Sequence, residues 1–278
     1  MIEEQSPHAV PDWACVPSSA RIADHFTGGT DNYEADRRLA GELRQVAAWL
    51  PQTLFINRHF GQRAVEHMAG GLGITQFLDL GCGLSFNSEA LPGMPLHTYD
   101  AAERFCDPQV AYVDSDPMVY GHANMCLAEP LGTVAVRADV RQVDRLLADP
   151  ALLSVIDVSR PLAVLGTDLF AWMSDEDAAR CIADLHDRLA PGSALSISHA
   201  SADTDPEAMT ALAGLYAEHG MVFKPRTRER IRQLLGPWEP VSPGIVATAH
   251  WPKAPRYSLP GTGQWHGYAT VARLRDAS

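Results

Sequence analysis

Paired cysteines are the first thing that this chain lacks. Its five cysteines are an odd number, and no two of them form a C-x-x-C pair. Such pairs are typical of zinc and redox sites, and an even set of cysteines is typical of a disulfide framework. We therefore expect neither a structural metal site nor a disulfide framework. The cysteines are Cys15, Cys82, Cys106, Cys126 and Cys181.

The chain also lacks long apolar runs and a leader-like beginning. No apolar run approaches the roughly 20 residues that a membrane helix needs. Residues 1–5 are acidic, whereas a secretory signal begins with basic residues followed by an apolar stretch. The sequence therefore predicts a cytoplasmic protein that does not enter the membrane.

Positive charge is scarce. The chain has 22 Lys and Arg against 34 Asp and Glu, for a formal net charge of −12, whereas a nucleic-acid binder normally presents a basic face to phosphates. The one basic run, residues 224–232, is interpreted as a solvated helix face, with recognition of an acidic substrate or partner as the alternative. We expect a small-molecule or peptide partner and no nucleic acid. A homodimer is left open.

Two apolar stretches end in acids and predict a nucleoside crevice. Residues 77–83 run as a short strand into Asp79 and the turn Gly81-Cys82-Gly83, and residues 110–116 form a second strand that ends at Asp114. Doubly wound α/β sheets bind nucleosides at the carboxyl ends of such strands. Glycines there let the backbone approach a ligand closely. An acid after the second strand is placed to bind a ribose diol.

The third glycine of a dinucleotide fingerprint is missing, because Phe86 stands in its place. Asp79 also disfavours a pyrophosphate, since a carboxylate beside the turn suits a positively charged ligand. S-adenosylmethionine carries a sulfonium and an amino group next to an adenosine. The alternative is that Gly81 and Gly83 only form a tight turn over Cys82, a small apolar residue packed beneath it.

Four stretches give the sequence a family resemblance. They are residues 17–22 with the Gly-Gly-x-Asp-Asn-Tyr element at 28–33 and its continuation at 36–37, residues 57–65 leading into 73–79, residues 112–117, and residues 195–200. From about residue 17 to its end, the chain resembles the actinobacterial S-adenosylmethionine-dependent methyltransferases formerly catalogued as a domain of unknown function. It departs from them at Thr30, usually lysine, at Leu80-Gly81-Cys82-Gly83, usually Ile-Gly-Thr-Gly, and in the longer, proline-rich segment 85–95.

The resemblance implies a class I methyltransferase fold. This fold is α/β and doubly wound, with a mostly parallel seven-stranded sheet, an antiparallel C-terminal hairpin and, here, an added N-terminal helical segment. The expected division is a flexible N-terminus over residues 1–16, a helical lid or extension over 17–70 and a Rossmann-like methyltransferase domain over 71–278. Strands are predicted at residues 77–80, 111–114, 133–138, 162–166, 194–198, 244–249 and 268–274.

The resemblance also assigns cofactor contacts. Asp79, Gly81, Cys82 and Gly83 would lie along the methionine part, Asp114 with Ser115 at the ribose, and Asp139 with Val140 at the adenine. Asp139 could instead cap the short helix that follows it. The residues expected to close over the cofactor from the N-terminal segment are Arg21, Gly28, Gly29, Asn32 and Tyr33.

Loop 28–33 suits a lid, because two glycines precede polar groups and an aromatic ring; a plain turn between helices is the alternative. Arg21, Asn57 and Arg58 could reach a carboxylate of cofactor or substrate, or could be ordinary surface residues.

Candidates for catalysis follow the fourth and fifth strands, at the edge where substrates bind. Asp168 and His199 stand there, and His25 and Tyr33 come from the lid. Histidine has a suitable pKa for a general base, but a structural histidine is the alternative for His199. The hypotheses are a methyltransferase acting on oxygen or nitrogen of a small molecule or peptide, a non-catalytic cofactor-binding regulator, and a nicotinamide-dependent oxidoreductase.

Overall fold

The structure is a computed structural model that describes residues 12–86, 93–252 and 266–274. The predicted flexible segment 1–16 lies largely outside the described residues, as does the middle of the 85–95 segment. The described α-helices are α1 Ser19–Phe26, α2 Glu34–Val46, α3 Leu50–Glu66, α4 Thr98–Glu103, α5 Pro117–Cys126, α6 Val143–Leu147, α7 Pro150–Leu153, α8 Asp175–Arg188, α9 Pro206–Glu218 and α10 Arg228–Leu234.

One mixed sheet organises the molecule. Its strand order is β3-β2-β1-β4-β5-β8-β6, with β7 also paired to β8. Strands β1 to β5 are parallel and β8 runs antiparallel to β5. The chain order reverses between β1 and β4, and at such a switch point the loops part and leave a crevice. The strands are β1 Gln76–Leu80, β2 Gln109–Asp114, β3 Thr133–Arg137, β4 Ala163–Thr167, β5 Ala194–Ala200, β6 Glu239–Pro240, β7 Val246–Ala247 and β8 Gly267–Arg273.

The predicted sheet is confirmed, with one refinement at its edge. Glu239 pairs with Arg273 and Val246 with Ala269, so β6 and β7 lie along the same side of β8. Together they are one edge strand interrupted by residues 241–245. Proline cannot donate to a strand ladder and is confined to edges and bulges, which is why Pro240 and Pro243 stand at this interruption. Counted separately, β6 and β7 bring the described sheet to eight strands. Counted as one edge strand, they give the seven that were predicted.

The sheet is buried on both faces. Phe77 and Leu78 are fully buried and belong to opposite layers, as the alternation of side chains along a strand requires. One layer packs against α8 and α10, with the indole of Trp238 buried between them and the sheet. The other packs against α3, where Phe60 meets Trp251 edge-on. A parallel sheet covered in this way positions only its carboxyl edge for ligands.

The first two helices pack away from the sheet, against α9. Ile22 of α1 and Leu39 of α2 share a buried cluster with Leu212 and Tyr216 of α9. By contrast, α3 contributes Phe60 and Val65 to a core layer of the sheet. Helix α3 therefore precedes the predicted domain boundary at residue 70 but packs into the core of the sheet. The division of the chain at residue 70 stays a prediction.

Tyr33 and Asp36 fix the start of α2. Tyr33 is the residue before the helix, and its backbone N–H donates to the Asp36 carboxylate at 2.8 Å. Asp36 also accepts from Ser18 N–H and from Arg21, so its carboxylate is already committed to joining α1 to α2. At α8 the cap is Ser174, whose hydroxyl accepts from Asp177 N–H at 3.0 Å.

In the described ranges, we find no helix that is both long enough and apolar enough to cross a membrane.

Candidate functional site

A cavity of ≈ 440 Å³ lies at the carboxyl edge of the sheet. Asp79 and Gly81 follow from β1, Asp114 from β2, Asp139 from the loop after β3, and Asp168 from the end of β4, and all five line it. Ligand pockets are typically about 300–1,000 Å³. The sheet thus gathers acids from the carboxyl ends of four neighbouring strands into one small-molecule site.

The glycine turn after β1 forms the floor of this cavity. Gly81 and Gly83 have φ of 62° and 69°, in the left-handed region that favours glycine. The N–H of Gly81 donates to the carbonyl of Val113 on β2 at 2.8 Å. A Cβ added to Gly83 would meet no protein atom within 4 Å, so the space it would enter belongs to the cavity.

Two carboxylates flank the turn. Asp114 accepts from Asp116 N–H at 2.9 Å and from Gly83 N–H at 3.4 Å, which fixes it against the turn. Asp79 accepts from the Thr98 hydroxyl at 2.6 Å. Burial, with the nearby charge of Asp114, raises the pKa of Asp79 to about 6, and burial also raises the pKa of Asp114. A cation placed between the two carboxylates would relieve the repulsion and favour their ionised forms.

Arg58 of α3 supplies positive charge beside them. Its guanidinium lies 4.5 Å from the centre of the Phe86 ring and lines the cavity. Burial lowers the pKa of Arg58 to about 10, while Asp24 and Asp79 act in the opposite direction. Arg58 is therefore a charged group at the cavity wall with donors suited to a carboxylate.

Asp139 and Val140 line the far end of the cavity, and Ser115 lies at its wall beside Asp114. Arg141 approaches Asp139 with both Nε and Nη2, at 2.7 to 3.1 Å. These hydrogen bonds lower the pKa of Asp139. Asp139 also accepts from Arg141 N–H at 3.0 Å, so it forms a turn before α6 rather than that helix's cap, which is at Gln142.

The residues present fit S-adenosylmethionine on this geometry. The open space at Gly83 admits a ligand against the backbone. Asp79 and Asp114 present two buried carboxylates with raised pKa values, and carboxylates can bind a positively charged group or a diol. Arg58 can take a carboxylate, as the amino-acid end of the cofactor requires.

The N-terminal segment reaches the cavity through α1 instead of through loop 28–33. Ser19, Ala20, Ile22 and Ala23 line the wall, and these were not predicted. In the described part of the chain, the predicted lid residues lie outside the cavity lining, namely Arg21, Gly28, Gly29, Asn32, Tyr33 and His25.

Those predicted residues hold the segment together. Arg21 is buried and donates to Asp36 at 2.7 Å and to the carbonyl of Val16. Asn32 donates to Asp24 at 2.8 Å, and the Arg21 guanidinium lies 5.5 Å from the Tyr33 ring. These residues lie behind α1, which itself lines the cavity.

The catalytic candidates separate in the structure. Asp168 lines the cavity and sits at a φ of 55°, and burial raises its pKa to about 7. His199 was expected at the crevice, but it is 1% exposed and, among the described residues, does not belong to the cavity lining. It lies behind Phe170, because β5 continues to Ala200 and keeps residue 199 inside the sheet.

His199 has partners on both ring nitrogens. Nδ1 lies 2.9 Å from its neighbour Ala200's carbonyl, and Nε2 lies 2.8 Å from Nη1 of Arg226. Since arginine only donates, Nε2 must accept and Nδ1 must carry the proton. Burial, with the charge of Arg226, lowers the pKa of His199 to about 4. This geometry makes His199 a neutral acceptor that orients Arg226.

Several cavity residues carried no sequence signal. Trp172 and Met173 come from the segment after β4, Tyr216 from α9, Leu54 from α3 and His97 from the residue before α4. In the sequence, a single aromatic or apolar residue in these segments indicates only a residue of the hydrophobic core. Only the packing of α1 and α9 over the sheet edge brings them to one surface.

No group of three or more His, Cys, Asp or Glu side chains within the described ranges is arranged to hold a metal ion.

The fold and this site together define a class I methyltransferase. The antiparallel β8 inserted beside β5, the glycine turn after β1 and the acid after β2 are its features. A sequence profile described as S-adenosyl methyltransferase matches residues 12–275, and the chain belongs to this family. The protein is an S-adenosylmethionine-dependent methyltransferase, and its methyl donor is S-adenosylmethionine. A comparison with curated proteins finds no match.

Solved structures agree with this assignment. A methyltransferase candidate from Thermobifida fusca YX is 34% identical, with a TM-score of 0.85 over 94% of this chain and 96% of that one. A DUF574 family protein from Streptomyces avermitilis MA-4680 is 30% identical, with a TM-score of 0.85 over 93% and 97%.

A more distant structure shares the fold alone. It is the 1,6-didemethyltoxoflavin-N1-methyltransferase of Burkholderia thailandensis, 15% identical with a TM-score of 0.51 over 98% of this chain and 93% of that one.

Proposed function

We propose that the protein methylates an oxygen or nitrogen atom of a small molecule or peptide bound at the Asp168 end of the cavity. The observation that carries this proposal is the continuity of the cavity. Gly83 and Asp114 line it at one end, and Asp168 and Tyr216 line it at the other. Donor and acceptor would therefore share one cavity, as a direct transfer requires.

When bound, S-adenosylmethionine supplies an electrophilic methyl group on a sulfonium. Asp79 and Asp114 would hold its amino group and ribose diol, with Gly81, Cys82 and Gly83 along its methionine part and Ser115 beside the ribose. Arg58 would bind the carboxylate. Val140 would pack on the adenine, and Asp139 would take its amino group once it turns from Arg141.

The N-terminal segment would close the cavity from outside. Ala20 and Ala23 of α1 line the cavity, and Arg21 ties α1 to Asp36 on α2. Gly28, Gly29, Asn32 and Tyr33 would then act by fixing α1, without contacting the cofactor. His25 would have the same indirect part. This division of roles keeps water from the transfer site.

Asp168 is the proposed group at the reacting end. It lines the cavity, and burial keeps the pKa of its carboxyl near 7, so it can accept a proton at neutral pH. His199 would position the acceptor wall through Arg226, whose Nη1 and Nη2 donate to the carbonyls of Phe170 and Met173 at 2.7 and 3.0 Å.

Calorimetry and isotope transfer test the proposal. The protein should bind S-adenosylmethionine and its demethylated product but not NAD. Label from the methyl group should then pass into the small-molecule or peptide fraction of a cell extract. The Asp114→Ala variant is the control for label transferred by other enzymes. NAD binding without S-adenosylmethionine binding, or label that stays on the donor, would contradict the proposal.

A further inference from the structure

Asp168 is held in an unusual backbone conformation at the acceptor end. Its φ of 55° lies in the left-handed region, which asparagine and aspartate enter more readily than other residues but still at some energetic cost. Its N–H donates to both the carbonyl and the hydroxyl of Ser198 on β5, at 3.2 and 3.0 Å. The neighbouring strand therefore fixes the direction in which the chain leaves β4.

The Asp168 carboxyl has no cationic partner among the residues that the structure describes. Burial raises its pKa to about 7, and a hydrogen bond from the Asn57 side chain acts in the opposite direction. The charged arginines of the cavity wall are engaged elsewhere. Arg58 interacts with Asp24 and Asp79, and Arg141 grips Asp139. Among the described residues, this end of the cavity thus has a carboxyl and no cation to neutralise it.

Aromatic rings stand beside that carboxyl. Trp172 and Tyr216 line the cavity and meet edge-on, with ring centres 4.9 Å apart. Burial raises the pKa of Tyr216, and the negative charge of Asp168 raises it further. The Tyr216 hydroxyl and the Asp168 carboxylate are therefore close enough to interact electrostatically. Ile22 and Leu54 add aliphatic surface to the cavity lining, and Asn57 is the polar neighbour of the carboxyl.

We propose that the acceptor is an amine that arrives as an ammonium ion on a flat apolar skeleton, with its nitrogen at Asp168 and its skeleton against Trp172 and Tyr216. This inference rests on the proposed function. An unpaired carboxylate attracts an ammonium ion, and the faces of aromatic rings attract cations within about 6 Å. An acidic acceptor would be repelled by Asp168, and an alcohol would use neither the charge nor the rings in this way.

The proton balance gives Asp168 a further role. An ammonium nitrogen has no lone pair, so its proton must leave first, and the Asp168 carboxylate accepts it. The free amine then forms a bond to the methyl carbon while the bond from that carbon to sulfur breaks, and the electron pair stays on sulfur. The methylated ammonium leaves with its positive charge on nitrogen, and Asp168 passes its proton to water.

The test uses matched probes on protein saturated with S-adenosylhomocysteine. Phenethylamine, tyramine and tryptamine are each compared by calorimetry with the alcohol and the carboxylate of the same skeleton. We expect the amines to bind at least about tenfold more tightly than their partners. At pH 7 amine binding should release roughly half a proton, seen as a dependence of the heat on the buffer, because Asp168 with a pKa of about 7 ionises on binding.

Asp168→Asn removes the charge and keeps the shape. It should lose at least about tenfold in amine affinity and all of the proton release, while Glu207→Gln, which removes a charge from the exposed face of α9, should change neither. S-adenosylhomocysteine affinity in each variant reports whether the fold and the donor site survive. Because the chain has six tryptophans, the contact with Trp172 is read from the change in tryptophan fluorescence on phenethylamine binding that is lost in Trp172→Phe.

The outcomes separate the two proposals. If S-adenosylhomocysteine fails to bind the unmodified protein, the proposed function itself is wrong. If it binds but none of the amines does, or if alcohols or carboxylates bind as tightly, the amine inference is overturned and the function stands. Amine binding that persists unchanged in Asp168→Asn also overturns the inference.

Discussion

The two ends of the cavity are built by different means. The donor end is assembled from the first residues after β1, β2 and β3, with the backbone held by Gly81 and Gly83. The acceptor end is assembled from α1, α3, α9 and the segment after β4, which meet only in the folded chain. Charges crowd the first end, whereas the second has one carboxyl, with the Asn57 amide as its hydrogen-bond partner, among aromatic and aliphatic side chains.

This difference shows which part of the enzyme can change independently. A strand-end loop is positioned by the hydrogen bonds of the sheet, so the donor site depends on the fold as a whole. The acceptor wall depends on side-chain packing and on Arg226, whose guanidinium is 3% exposed and joins the 170–173 segment to His199. If the acceptor binds there, as proposed, substitutions at that wall should alter acceptor choice while the contacts to the donor are kept.

The largest expected effect breaks the support of the acceptor wall. His199→Ala removes the acceptor at Arg226 Nη1 and leaves a cavity in the sheet, so unfolding by urea should show a loss of about 2–4 kcal/mol. Affinity for S-adenosylmethionine should stay within about twofold, because the donor contacts lie at other strands. A variant as stable as the original protein would show that His199 does not support this wall.

A loss confined to the donor end is expected from Asp114→Ala. It removes the proposed acceptor of the ribose hydroxyls and the acceptor of the Gly83 and Asp116 N–H groups, at about 1.5–3 kcal/mol of binding free energy. Titration calorimetry should thus show an affinity for S-adenosylmethionine about 10- to 150-fold lower. Glu129→Ala, an exposed acid in the loop before β3, is the matched control. Equal affinities would remove Asp114 from the ribose site.

Asp168→Asn sharpens the contrast in charge through its effect on stability. With a folded pKa of about 7 against an ordinary value of 3.8, Asp168 holds more protons in the folded state. Its contribution to stability is therefore present below about pH 4 and is lost as pH rises to 7.

The variant without ligand should match the original protein at pH 4. At pH 8 the variant should be more stable than the original protein by on the order of 2 kcal/mol. This figure allows for screening by water, because the cavity is open to solvent. His199 titrates in both proteins and cancels from the difference. A difference in urea unfolding that is the same at both pH values would show that Asp168 is not poised in this way.

The smallest effect concerns the support behind α1. A Cβ at Gly29 would lie 1.9 Å from Asp24 Oδ1, so Gly29→Ala must displace Asp24 from its hydrogen bond with Asn32, at about 1 kcal/mol. Gly41→Ala is the matched control. Gly41 lies on the exposed face of α2, and a Cβ added there would meet no atom within 4 Å. The Gly41→Ala variant should therefore be more stable than the original protein by about 0.5–1 kcal/mol.

Hydrogen exchange extends this comparison. S-adenosylhomocysteine should slow exchange in α1 of the original protein and less so in Gly29→Ala. Equal protection in both would separate loop 28–33 from the closure of the cavity.

Much of the donor end was predictable because its information is local. The spacing from β1 to Gly81 and Gly83, and the acid at the end of β2, are read within a few residues of each strand. The sheet order then follows from general rules on crossover connections. The same local reading placed β1 to β5 within two residues of their observed ends.

The acceptor end was only partly predictable. Asp168 was found because it directly follows a strand, but Trp172 and Tyr216 lie 44 residues apart in the numbering and meet through packing alone. The prediction that His199 faces the crevice was wrong for the same reason. A histidine at a strand end can face the cleft or the core, and the partner that decides, Arg226, lies in a distant segment read as a solvated basic run.

The contact between Gly81 and Leu169 joins the two ends. A Cβ at residue 81 would lie 2.7 Å from Cδ1 of Leu169, the residue next to Asp168. The donor turn and the acceptor segment are thus separated by a partition one side chain thick. A glycine that looks like a cofactor residue also sets the clearance of the acceptor chamber, so whatever displaces that turn is felt directly at the residue beside Asp168.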